Sequence, residues 1–228
     1  MDNSLLVSLS HQLAAYRSMD VIANNIANAS TPGYKRETAK FEEFVTYVRP
    51  SETQTGPQAL SFVKDAGAVR DLGQGELNST GATLDFAING KGFFAVQTPA
   101  GIRYTRDGHF TLNQDGQLVT SDGYAVQGDG GAITITPDDG NVSVGADGTI
   151  SSIINGAANQ IAKLKVVTFP DERAMIKQGA NLYSTTQTAR PSTESTVAQR
   201  MLEGSNVKPV IEISHMVDVK DVADAMTR

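Results

Sequence analysis

The hydrophobic period of this chain changes twice, and that limits its possible folds more than any single motif. Over residues 4–28, Leu5, Leu9, Tyr16, Met19, Ala23 and Ile26 recur on alternating four- and three-residue steps, with Gln12 as the one polar member of the series. A repeat of about 3.5 residues is the seam of a helix that packs along another helix. Leu6 and Leu13 widen the stripe, so neighbours are expected on more than one side. Asp2, Asn3 or Ser4 is placed to cap the start. Thr31-Pro32-Gly33 stops the helix, since proline biases the preceding residue away from it and glycine accepts positive φ, giving an end near Asn28. At the other terminus, Asn206 is placed as N-cap with Pro209 in the first turn. Val210, Ile213, Met216, Val217, Val219, Ala223 and Met226 then follow at helical spacing. Two short striped helices at opposite ends need partners, either each other or other chains.

Between them the period is two. Residues 84–88, 92–97, 133–136 and 163–169 read as strands. Asn89-Gly90, Asp-Gly at 107, 115, 122, 129, 139 and 147, and Asn155-Gly156 read as hairpin turns, because both residue types tolerate the left-handed conformation that short hairpins require. The expectation is a mixed, mainly β chain. A central all-β domain of short hairpin strands over residues 70–190 is flanked by N- and C-terminal α-helices, 1–35 and 205–228, that form a coiled-coil-like core. Residues 36–69 and 191–204, polar and marked by Pro50, Gly56, Pro57 and Pro191, read as extended connectors.

Composition narrows the function. Lys and Arg total 19 against 25 Asp and Glu, a net charge of −6, so nucleic acid is not an expected partner. The absence of cysteine removes disulfides, thiolate metal sites and cysteine nucleophiles together. No apolar run approaches the ~20 residues that a membrane-spanning helix needs, and Met1-Asp2-Asn3-Ser4 lacks the charged start of a cleaved signal. The Asp-Gly series does not supply the alternating oxygen ligands and closing Glu of a calcium loop. Gly73-Gln74-Gly75 and Asn89-Gly90-Lys91-Gly92 fail the nucleotide-loop patterns. His11, His109 and His215 are scattered, and no Gly-x-Ser-x-Gly elbow occurs. No catalytic, cofactor or metal site is expected, and the chain does not read as an enzyme. Asn24, Asn25 and Asn28 stand apart: three asparagines at a helix end point either to a bonded exit turn or to polar contacts that set packing register.

Asn24-Asn25-Ile26-Ala27-Asn28 with Thr31-Pro32-Gly33-Tyr34-Lys35 resembles the N-terminal signature of the bacterial flagellar rod and hook protein family. The run Gln74-Gly75-Glu76-Leu77 through Thr80-Gly81, Leu84-Asp85, Gly90-Lys91-Gly92-Phe93-Phe94 and Tyr104-Thr105-Arg106-Asp107-Gly108 is similar to its β-domain. Glu203-Gly204-Ser205-Asn206-Val207 and Met216-Val217 are similar to its closing helix. Proximal-rod members are the nearest match and distal-rod members the alternative. The resemblance implies a structural subunit of the flagellar basal-body rod, passed through the flagellar type III export apparatus and assembled in the periplasm into the axial drive shaft. Its partners would be copies of itself and other rod proteins, with no nucleic acid and no membrane insertion.

The residues expected at the assembly interface are Leu5, Leu9, Leu13, Tyr16, Asn24, Asn25, Ile26, Asn28, Val210, Ile213, Met216 and Val217. The terminal segments are expected to stay unfolded in the free chain until neighbours cover their apolar faces. The competing reading is a soluble β-domain binding module whose helices only dimerise.

Overall fold

The computed structural model describes residues 3–48, 58–136, 141–154 and 157–225. The expected turns at Asp139-Gly140 and Asn155-Gly156, together with Asp2, Pro50, Gly56, Pro57 and Met226, lie outside the described residues. The chain folds as two units. The terminal unit takes Met1–Ala29, Arg36–Asp71 and Val207–Arg228, and the β-unit takes Ser30–Lys35 and Leu72–Asn206.

In the terminal unit, α1 spans Asn3–Ala27 and α2 spans Pro209–Ala225, close to the ends set by the stop and start signals. Pro209 opens α2 as expected. The cap lies two positions further on than Asn206: the Lys208 carbonyl accepts from the N–H of Ile211 and Glu212, while Asn206 donates to the Gly73 carbonyl at 3.0 Å within the β-unit. Residues 36–69 are no simple connector. They hold β1 (Glu37–Val48) and β2 (Gln58–Arg70), which pair antiparallel into a long two-stranded ribbon. Its pairs include Phe44 opposite Phe62 and Glu42 opposite Lys64, the kind of cross-strand contact that stabilises a two-stranded ribbon.

The β-unit runs β3 (Leu77–Ser79), β4 (Phe86–Asn89), β5 (Phe93–Thr98), β6 (Gly101–Thr105), β7 (Phe110–Leu112), β8 (Leu118–Thr120), β9 (Ala125–Gly128) and β10 (Gly131–Ala132). It continues with β11 (Asn141–Val144), β12 (Thr149–Ile154), β13 (Ala157–Lys163), β14 (Val166–Thr168), β15 (Ile176–Lys177), β16 (Leu182–Ser184), β17 (Arg190–Pro191), β18 (Thr196–Gln199) and β19 (Met201–Glu203). The main sheet has the order β15-β16-β6-β5-β9-β8-β7. β5 is central and buried on both faces, which is why Phe93-Phe94-Ala95-Val96 reads as an unbroken apolar run. Phe94 and Val96 enter a core with Phe86, Phe110, Leu118 and Ile150, while Phe93 enters a second cluster with Val167, Phe169 and Tyr183. Phe94 meets Phe110 edge-on at 5.3 Å between ring centres, a favoured aromatic geometry.

The turn chemistry holds where strands are sequential neighbours. Gly116, Gly123 and Gly148 sit at φ of +73°, +82° and +82°, closing β7–β8, β8–β9 and β11–β12. It fails as a hairpin signal at Asn89-Gly90 and Asp107-Gly108, because β4 pairs with β18 rather than β5 and β6 does not pair with β7. Residues 133–136 are buried at Ile133 and Ile135 as alternation predicts, but they are not a strand. Their backbone bonds pass in turn to Val126, Leu118 and Gly116 instead of to one ladder. The expected strand 163–169 is split, since Leu164 bonds to Gly148 and Lys165 to Gln127 before β14 begins. Residues 191–204, expected to be a connector, contain β18 and β19, which pair with β4 and β3.

Asp107 carries a pH signature. Burial raises its carboxyl above the usual range, opposed by the His109 N–H that it accepts at 2.9 Å. A raised native value means that the folded state holds this proton after the unfolded state has released it. Stability from this group is therefore full below the ordinary carboxyl value and is lost as pH rises through the native one. Asp107→Asn keeps an acceptor for His109. Its stability relative to the parent is expected to be greater at pH 7 than at pH 3.5, as urea denaturation at the two values would show.

Candidate assembly surface

α1 has two distinct faces. Ala15, Ile22 and Asn25, with His11 and Ser18 half-buried beside them, follow helical spacing and face inward within the terminal unit. Ala15 and Ser18 are small side chains, which let other elements approach closely. Ser10 Oγ accepts from the Val63 N–H of β2 at 3.4 Å, and Arg17 pairs with Asp65 at 3.2 Å. Asn25 meets Glu212 near the start of α2, while His11, Ala15 and Ser18 share a groove with Val219 and Val222 further along it, so the two helices run antiparallel.

One buried polar cluster ties these elements together. Asn25 Nδ2 donates to the Glu37 carbonyl at 2.7 Å, and its Oδ1 accepts the Glu37 N–H at 3.0 Å. The same Nδ2 donates to Glu212 Oε2 at 2.9 Å, and Arg36 Nε donates to Glu212 Oε1 at 2.5 Å. Arg70 closes the array on the Glu37 carboxylate at 3.2 Å. Glu212 is 1% exposed, so its charge is compensated inside the unit.

The other helix faces are left in water. Leu5, Leu9, Leu13 and Tyr16 are 63%, 47%, 60% and 52% exposed; Val210, Ile213 and Val217 are 81%, 52% and 52% exposed. Of the residues expected at an interface, these seven therefore line uncovered stripes, whereas Ile26 and Met216 are half-buried. Asn25 is a correction: it is wholly buried by its own chain. Asn24 and Asn28 form the exit turn, Asn28 donating to the Asn24 carbonyl from its backbone at 3.1 Å and its amide at 2.8 Å. The terminal segments, expected to stay unfolded when alone, find part of their cover in each other and in the ribbon.

The β-unit holds a second buried carboxylate that periodicity could not flag. Glu203 accepts Lys35 Nζ at 2.5 Å, the Gly75 N–H at 2.9 Å and Arg106 at 3.2 Å. Lys35 also donates to the Gly73 carbonyl, and Arg106 to the Gly90 carbonyl, both at 2.8 Å. Burial lowers the Arg106 guanidinium from its usual value and Glu203 pulls it back up. The consecutive residues Lys35 and Arg36 thus serve one buried glutamate each, in separate units. Lys35, Gly75, Arg106 and Glu203 each lie inside a motif that resembles the family's, but nothing in a motif marks a charge as buried.

Among the described residues no group of three or more His, Asp or Glu could hold a metal ion, and no helix is long and apolar enough to cross a membrane. A packed β-unit, joined to paired terminal helices that leave large apolar stripes uncovered, defines a structural subunit built to sit among neighbours.

Comparison with known proteins gives that class its family. Residues 87–152 match the flagellar hook protein FlgE/F/G D1 domain, and residues 5–35 match the flagella basal body rod protein family. The flagellar basal-body rod protein FlgF of Caulobacter vibrioides is 43% identical over 100% of this chain and 92% of its own length. FlgF of Mesorhizobium japonicum is 34% identical over 96% of this chain and 88% of its own. FlgG of Buchnera aphidicola subsp. Schizaphis graminum is 35% identical, covering 95% and 90%. The chain belongs to the flagellar basal-body rod proteins, on the F-type side of that family, and is a structural subunit of the rod that assembles with other rod components.

Proposed function

We propose that this subunit assembles with copies of itself and with other rod proteins through the uncovered stripes of α1 and α2, forming part of a periplasmic shaft that carries torque. The exposure of Leu5, Leu9, Leu13 and Tyr16 on one helix and of Val210, Ile213 and Val217 on the other carries this reading. Each such side chain contributes about 1.5–3 kcal/mol when fully buried, so a few of them drive association. A contact between unlike patches whose rotation does not close propagates as a helical filament, which suits a shaft. Delivery falls to the flagellar type III export apparatus, and the role is mechanical rather than enzymatic.

Leu9→Asp and Ile213→Asp test it. Each places a carboxylate in a stripe that a neighbour must cover, while leaving the β-unit core untouched. Both variants are expected to be absent from isolated hook–basal bodies and to abolish motility, with the β-sheet circular dichroism retained. Wild-type amounts of both in the rod would overturn the reading.

A further inference from the structure

We propose that Glu212 is the positioning residue that sets the axial register of α2 along α1. The register matters because it decides how far the α2 stripe stands from the α1 stripe, so the inference rests on the assembly reading above. The apolar contacts between the helices cannot set it. The inward face of α2 carries Met216, Val219 and Ala223 beside Glu212, and the facing part of α1 offers Ala15, Ser18 and Ile22. Apolar burial is non-directional, and α2 sliding by one turn would still match small and aliphatic side chains with one another.

Glu212 removes that freedom. Its two oxygens accept from Asn25 Nδ2 at 2.9 Å and Arg36 Nε at 2.5 Å, one donor on α1 and one just ahead of β1. The Asn25 amide cannot turn to suit a shifted partner, because both ends of it are held by the backbone of Glu37. A slip of one turn toward the start of α1 would bring the carboxylate against Val21 and Ile22, which offer no side-chain donor. A buried polar residue that pairs in one alignment only is the best-attested device for fixing helix register. Glutamine is not an equivalent here, since its NH₂ would face a donor in place of an acceptor.

The chain has no cysteine, so engineered pairs read the register without background. Moving seven residues back along α1 and seven forward along α2 leads from Asn25–Glu212 to Ser18–Val219, which line one groove. In dilute full-length protein, Ser18→Cys/Val219→Cys should therefore crosslink, whereas Ser18→Cys/Ala223→Cys and Ser18→Cys/His215→Cys, each one turn away, should not. Adding Glu212→Gln is expected to raise a slipped crosslink roughly tenfold, the effect of losing one hydrogen bond to a charged group. Arg36→Met removes the same bond from a residue on neither helix and should do the same with helix content unchanged. If both backgrounds give only the 18–219 crosslink at parent yield, or if Glu212→Gln melts α2 while Arg36→Met leaves the register intact, the proposal is overturned. The crosslinks are intramolecular, so they fail independently of rod incorporation.

Discussion

Glu203→Ala is expected to cost the β-unit about 3–5 kcal/mol, the range for removing one partner of a buried ion pair. The substitution leaves Lys35 and Arg106, 1% and 3% exposed, as two buried cations without their carboxylate, and strips the Gly75 N–H of its acceptor. Domain stability is typically about 5–15 kcal/mol in total, so the variant should sit near its unfolding midpoint under mild denaturant. Urea denaturation followed by β-sheet circular dichroism would measure it. A shift below about 0.5 kcal/mol, the size of an ordinary surface substitution, would mean that the cations find water instead of Glu203. Glu203→Gln keeps an acceptor and should cost less, which separates the charge from the shape.

Gly108→Ala is expected to cost about 3 kcal/mol or more, at or beyond the upper end of overpacking. A Cβ at this position would stand 1.6 Å from the Phe86 carbonyl oxygen and 2.7 Å from its carbon, and both are backbone atoms that no rotamer change can move. Relief requires lifting the start of β4, which breaks the 3.0 Å bond from the Phe86 N–H to the Gly108 carbonyl. It also disturbs Phe86, which packs beside Phe110 at 6.0 Å between ring centres. Gly123→Ala is the matched control. Nothing lies within 4 Å of its added Cβ, so only the φ of +82° opposes it, at a cost of about 1–2 kcal/mol. Differential scanning calorimetry of the two variants should therefore show a much larger fall in Tm for Gly108→Ala, and equal falls would contradict the steric account.

The hairpin signals show where local reading succeeds and stops. Asp115-Gly116, Asp122-Gly123 and Asp147-Gly148 join strands that pair with each other, so the turn chemistry and the topology agree. Asp107-Gly108 has the same letters but serves a close approach of backbone to backbone, where glycine is needed for its missing Cβ. The ribbon of residues 37–48 and 58–70 was hidden for a related reason. Its strands carry Lys40, Glu42, Glu43, Lys64 and Asp65, so no apolar alternation announces a pairing that rests on cross-strand contacts.

The candidate surface was legible in its apolar half only. Leu5, Leu9, Leu13, Tyr16, Val210, Ile213 and Val217 follow from spacing, and the structure leaves them uncovered. Spacing could not say which face of α1 its own chain would take, and the apolar seam is left outside at Leu5, Leu9 and Tyr16 and half-covered at Met19 and Ile26. Ala15 and Ser18 pack inward instead, because small side chains admit other elements at close range, and Asn25 packs inward because Glu37 and Glu212 bond its amide.

By itself, then, the amino-acid sequence determined the two helices and their ends, the β-rich middle, the sharpest turns and the family to which the chain belongs. Each of these depends on residues within a few positions of one another, where period, capping and backbone preference act. Only the tertiary structure decided that β18 and β19 close over β4 and β3, and that Glu203 and Glu212 are buried charges. Asn25 and Glu212 are 187 residues apart, Lys35 and Glu203 168, and Arg106 and Glu203 97. A charge is worth burying only where its partners converge, and that convergence is a property of the folded chain.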